Sequence, residues 1–158
     1  VDDQGLRGVF VNWTFDQMFS AFIKKEYDLD KNNELSRSEQ TALYNTAFRD
    51  LAKNNYFAVI SADGKPVPIP QPEQFSARLV KETDMASYSF FLPIVLPAEK
   101  TMRSCELAFF DPVIYVAFTI TEKDMGMQNR SRDIDASLVM NTVKHMKRPM
   151  ISFKKRSE

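Results

Sequence analysis

Between Tyr27 and Thr41 the chain places oxygen-bearing side chains at regular intervals: Asp28, Asp30, Asn32, Ser36 and Glu39, with Glu34 and the apolar Leu35 among them. Apolar-periodic stretches flank this polar segment, which restricts the N-terminal third to helix, exposed loop, helix. Before the loop, Phe15, Met18, Phe19, Phe22 and Ile23 fall at i, i+3, i+4, i+7 and i+8, the stripe of an amphipathic helix. Thr14 followed by Gln17 predicts a capping box at its start. After the loop, Leu43, Ala47, Phe48 and Leu51 continue the period until Asn54 and Asn55 end it.

The intervals are those of a 12-residue calcium loop, the EF-hand. Calcium is a hard cation that takes six to eight oxygens, drawn from loop positions 1, 3, 5, 7 and 12, with position 9 often acting through water. Asp28, Asp30 and Asn32 fill positions 1, 3 and 5. Glu34 fills position 7, where the backbone carbonyl is the ligand and the side chain faces solvent. Ser36 stands at position 9, and Glu39 at position 12 is long enough to close the sphere with both oxygens. Leu35 at position 8 is expected to turn toward the core. Position 6 departs from the pattern, because Asn33 replaces glycine where a left-handed backbone is required. Asparagine visits that region more readily than most residues.

The metal ligands expected are therefore Asp28, Asp30, Asn32, Glu34 through its carbonyl, and Glu39, with calcium as the ion. The chain holds no second such loop, so the ion is expected to be structural rather than a switch. The short ligand set predicts weak affinity, in the ~0.1 to 1 mM range of extracellular modules.

The rest of the chain reads as strands. Leu6 to Trp13 alternates at a period of two, and Tyr56 to Ala62 is followed by Asp63-Gly64, a two-residue hairpin signal. Further strands are expected over Gln74 to Lys81, Ser87 to Val95, Arg103 to Phe110 and Val113 to Thr121, with Asp133 to Met140 and Met150 to Lys154 as one more pair. Lys65 to Pro72, with its prolines, reads as an edge or long turn. The fold class predicted is α+β: an antiparallel β-sandwich carrying an inserted EF-hand helix–loop–helix near the N-terminus, over about 14–54, within one domain of 1–158.

Composition narrows the chemistry. Lysine plus arginine and aspartate plus glutamate each number 21 in 158 residues, so no net field recruits nucleic acid. The basic stretch from Lys144 to Arg156 reads as a solvated end. Cys105 is the only cysteine and His145 the only histidine, which excludes an intramolecular disulfide, thiolate clusters and histidine-bearing triads. Cys105 is expected in a strand as a small buried hydrophobe, and His145 on the surface. Four scattered glycines make no phosphate loop. Trp13, Phe15, Phe90, Phe91, Phe109, Phe110 and Phe118 are read as sandwich core before ligand pocket, and Asp111-Pro112 as a turn. No apolar run is long enough to span a bilayer. The V-D-D-Q-G start reads as a turn with no strand before it, which predicts a piece of a longer chain, and any targeting segment would then belong to the missing piece.

The runs V-N-W-T-F-D-Q-M-F-S, D-L-D-K-N-N-E-L-S, Y-F-A-V-I-S-A-D-G-K-P-V and F-F-D-P-V-I-Y-V-A-F resemble an uncharacterised bacterial family of exported proteins. Its members are regarded as periplasmic substrate-binding components of uncharacterised ABC-type transport systems, and the resemblance covers about residues 2 to 121. It implies a periplasmic location and, as partner, a membrane transporter or a small ligand. Family members also carry a His-Pro-His type mature start and lie near transition-metal transport genes, and this start is not in the present sequence. The leading expectation is thus a non-enzymatic periplasmic calcium-binding protein linked to transport. The alternative is an accessory nickel, cobalt or zinc carrier, and a hydrolase with an unrecognised acidic site ranks third.

Overall fold

The computed structural model describes residues 1–111, 117–143 and 146–156. Pro112, the first part of the expected Val113 to Thr121 strand, and His145 lie outside the described residues, and 117 to 121 form no strand. Among the described residues every strand pair is antiparallel and two α-helices interrupt the strands, so the protein is α+β. No helix among the described residues is long and apolar enough to cross a membrane.

The chain divides into two compact units. The first comprises Val1–Gly8, Asn54–Pro70 and Ile94–Glu158. The expected turn at its start is present, with Asp2 and Gly5 exchanging backbone hydrogen bonds of 2.9 and 3.0 Å. Gly5 opens β1 (Gly5–Leu6), which pairs with β7 (Leu96–Pro97). A side chain at Gly5 would collide with the Leu96 carbonyl and the Ala98 amide, and its φ is +124°. The larger sheet of this unit runs β4 (Lys65–Val67), β3 (Ala58–Ala62), β8 (Arg103–Phe109), β10 (Met146–Lys155), β9 (Ile134–Val143). Asp63 and Gly64 both take positive φ, the requirement of the tight turn joining β3 to β4. The pair expected near the C-terminus forms as a long hairpin in register from Ile134↔Lys155 to Val143↔Met146. Most of the basic stretch is therefore a paired strand, a correction to its reading as a solvated end.

The second unit comprises Val9–Lys53 and Gln71–Pro93. Its sheet orders β2 (Val9–Thr14), β6 (Met85–Leu92), β5 (Glu73–Val80). The strand expected from Leu6 to Trp13 is thus two strands broken at Arg7-Gly8. β2 runs on to Thr14, which pairs with Ser87, so Thr14 cannot cap the next helix. The cap is Asp16, whose Oδ1 accepts the Phe19 amide at 2.8 Å, and α1 spans Gln17–Tyr27. After the loop, α2 spans Arg37–Leu43. It continues as a π turn, Tyr44–Phe48, and a 3₁₀ stretch that loses helical backbone at Asn54, where Asn55, Tyr56 and Phe57 take positive φ.

Burial follows the helical period only partly. Ile23, Leu43 and Phe48 are fully buried, and the Phe48 ring lies 4.3 Å from Phe75, 5.2 Å from Phe90 and 6.0 Å from Tyr88 between ring centroids. These aromatic pairs each add a little beyond the large area they bury. The stripe predicted for α1 is rotated, because its buried face centres on Ser20 and Ile23 while Met18, Phe19 and Phe22 are exposed. Ser20 is buried because its hydroxyl accepts the Ala86 amide of β6 at 2.8 Å. That amide lies beyond the end of β2 and has no strand partner on that side.

Candidate metal centre

The loop between α1 and α2 is organised by its own carboxylates. Asp28 is the C-cap of α1 and is buried, and its amide continues the helical ladder to the Lys24 carbonyl at 3.1 Å. Its Oδ1 accepts the Asn32 amide at 3.0 Å and its Oδ2 accepts the Asn33 amide at 3.0 Å. Two bonds from one carboxylate pull the chain into a tight ring, which requires left-handed backbone at Lys31 and Asn33, at φ +58° and +63°. The left-handed turn expected at Asn33 is therefore present. Asparagine tolerates it at modest cost.

Glu39 closes the ring from the first turn of α2. Ser36 is the N-cap, and the pair forms a full capping box. Glu39 Oε2 accepts from both the Ser36 amide and the Ser36 hydroxyl at 2.8 Å, while Oε1 accepts the Leu29 amide at 2.6 Å. These bonds, those from Ser36 foremost, hold the buried carboxyl below the usual glutamate range despite the opposing cost of burial. The Ser36 hydroxyl also lies 3.0 Å from that of Ser38, so it has an alternative partner if an ion takes Oε2.

Of the five expected ligands, the fold brings three carboxylates together. Asp28, Asp30 and Glu39 each offer an oxygen within 4.8 Å of the other two. Oxygens sharing one calcium at about 2.4 Å cannot lie more than roughly 4.8 Å apart, so the spacing fits a common ion. Asn32 is tied into the same ring, but its side-chain oxygen accepts the Glu34 amide at 2.7 Å and its Nδ2 donates to Asp30 at 2.8 Å. The Glu34 carboxylate turns outward, as position 7 predicts, and there meets Lys81 at 2.6 Å. Leu35 is buried.

Asp28, Asp30 and Glu39 form no ion pair with lysine, arginine or histidine among the described residues. Of the lysines around the loop, Lys24 pairs with Asp84 at 2.9 Å and Lys81 with Glu34, while Lys31, within the loop, forms no ion pair among the described residues. Three negative oxygens this close repel one another unless a cation is shared.

Sequence reasoning passed over Gln40, the residue after the closing glutamate. Its Nε2 donates to the Leu35 carbonyl at 2.8 Å, and its Oε1 accepts the Ala77 amide of β5 at 3.1 Å. No spacing rule marks a glutamine there, since both its partners are backbone groups.

Comparison with curated proteins and with solved structures finds no match. A family model matches residues 1–148, well past residue 121, where the resemblance in the sequence fades. By that match the chain belongs to DUF1007, a protein family of unknown function.

Proposed function

We propose that the helix–loop–helix is a single EF-hand that holds one calcium ion as a structural tie, in a non-enzymatic periplasmic protein. The observation that carries this reading is the set of three carboxylates, Asp28, Asp30 and Glu39, gathered within 4.8 Å with no protein cation among the described residues to neutralise them. An all-oxygen donor set suits a hard cation and discriminates against nickel, cobalt and zinc, which favour nitrogen or sulfur. On this reading the Asn32 oxygen and the Glu34 carbonyl complete the ligand set.

The periplasmic location is tied to the weak affinity expected of this ligand set. A site with a dissociation constant of ~0.1 to 1 mM fills only where calcium is near millimolar, as it is outside the cytosol. The β-sandwich belongs to the same proposal, supported by short antiparallel strands at regular spacing. Service as an interaction or ligand-binding component linked to a membrane transporter is supported by the exposed Met18, Phe19 and Phe22 of α1.

Calorimetric titration tests the reading. Wild-type protein stripped with chelator should bind one calcium in the range above, with magnesium a poor competitor. Glu39→Gln keeps one acceptor oxygen for the capping box with Ser36 and gives up the bond from the Leu29 amide, so it should still fold, with some loss of stability, and lose the calcium signal. Absence of calcium heat in the wild type, or unchanged binding in Glu39→Gln, would overturn it.

A further inference from the structure

Gln40 connects the loop to a part of the sheet that carries none of the ligands. Its amide group spans from the Leu35 carbonyl at 2.8 Å to the Ala77 amide at 3.1 Å. Leu35 follows Glu34, so fixing the Leu35 carbonyl fixes the chain beside the carbonyl that would serve as the ligand at position 7. On the far side, β5 pairs only with β6 among the described residues. The Ala77 amide belongs to a residue 1% exposed and is taken up by the Gln40 side chain. Leaving such a donor unmet in the interior is costly, which favours a full bridge over a partial one.

Two exposed ion pairs act on the same elements. Lys81 and Asp84, in the turn after β5, hold Glu34 of the loop and Lys24 of α1. Each is solvent-screened and adds little by itself. The half-buried Gln40 side chain joins backbone groups of two buried residues, Leu35 and Ala77, so it fixes the distance between loop and strand.

We propose that Gln40 is a positioning residue for the calcium site, and that through it ion binding and the ordering of the β5 edge are thermodynamically linked. This rests on the calcium reading above. If the ion binds more tightly when Leu35 is held, linkage requires that the ion in turn tighten the bridge and protect the Ala77 amide from opening. Removing the bridge leaves the ligands in place but lets the second half of the loop move, so affinity falls without loss of the site.

Amide hydrogen exchange of the full chain, in chelator and in saturating calcium, reads the linkage directly. In the wild type, calcium should slow exchange at Ala77 by roughly fivefold or more, the scale of one net hydrogen bond. Amides of β9 and β10 should not change. Gln40→Met keeps the side-chain length and removes both bonds. It should weaken calcium binding roughly fivefold to tenfold by calorimetry and abolish the calcium dependence at Ala77. Should that variant fail to fold, the wild-type exchange result alone decides. Calcium binding in the wild type with no response at Ala77 overturns the Gln40 inference and leaves the site standing. So does an unchanged affinity, or an unchanged Ala77 response, in Gln40→Met. No calcium binding by the wild type overturns both.

Discussion

Two acidic turns in this protein solve the same electrostatic problem in different ways. In the β3–β4 hairpin of the first unit, Asp63 accepts the Ser104 amide at 2.8 Å and the Arg103 guanidinium at 2.7 Å, so its charge is met within the protein. Arg103 also reaches Glu99 and the Pro97 carbonyl. In the loop of the second unit, Asp28, Asp30 and Glu39 receive hydrogen bonds from amides and a hydroxyl but no protein cation among the described residues. A hydrogen bond stabilises a carboxylate without cancelling its charge. The difference teaches that an acidic turn becomes a candidate ion site when the shape of the loop is satisfied and its charge is not.

The contrast depends first on the frame under the loop, and breaking that frame should have the largest effect. Phe48 is fully buried and packs on Phe75, Tyr88 and Phe90, with the Trp13 ring 6.5 Å away. Phe48→Ala should destabilise the fold by about 3 to 5 kcal/mol, from lost burial and the cavity left behind. Urea unfolding followed by Trp13 fluorescence measures it. A midpoint near that of the wild type would mean that the loop does not depend on this aromatic cluster.

Supplying the missing charge is the next largest step. At 10 mM calcium and a dissociation constant of ~0.1 to 1 mM, linkage adds about 1.4 to 2.7 kcal/mol to the folded state. The melting temperature should rise by several degrees over that in chelator. Asp63→Asn should show the same rise, because its turn needs no external ion. Glu39→Gln should show none. Equal responses in wild type and Glu39→Gln would erase the distinction between the two turns.

Much of this was legible in the sequence for a physical reason. The proposed ligands are local, so a spacing rule is enough to name Asp28, Asp30, Asn32, Glu34 and Glu39, of which the fold gathers Asp28, Asp30 and Glu39, and the left-handed turn at Asn33 follows from the same rule. The Asp63-Gly64 hairpin is equally local. Ser20 and Gln40 were not legible, because each satisfies a backbone amide of a strand dozens of residues away, 66 for Ser20 and 37 for Gln40. The α1 stripe misled for the same reason: Ser20 buries through a bond that hydrophobic periodicity does not record, and the helix turns Phe19 and Phe22 outward. Thr14 illustrates competition between elements, since strand pairing with Ser87 took a residue that local sequence offers to a helix cap.

The smallest effect is the most selective, because acid separates the two turns without moving any side chain. Asp63 is held below the usual aspartate range, chiefly by the Ser104 amide, with the Arg103 guanidinium adding to it. Glu39 is held below the glutamate range chiefly by Ser36. A carboxyl whose folded pKa is depressed contributes stability that is complete above its unfolded value, about 3.9 for aspartate and 4.3 for glutamate. That stability is lost as pH falls through the lower folded value. In chelator, Asp63→Asn should therefore flatten the acid limb of stability below about pH 4, leaving the part owed to Glu39. Glu39→Gln should do the converse. Adding calcium to the wild type should steepen the limb, because protons then compete with the ion for the loop oxygens. Asp63→Asn should keep that added steepness and Glu39→Gln should lose it. Acid titration of the unfolding midpoint of the three proteins, with and without calcium, reads all six slopes. If Asp63→Asn also loses the calcium-dependent slope, the two turns are electrostatically coupled and the hairpin is not the self-sufficient turn contrasted with the loop.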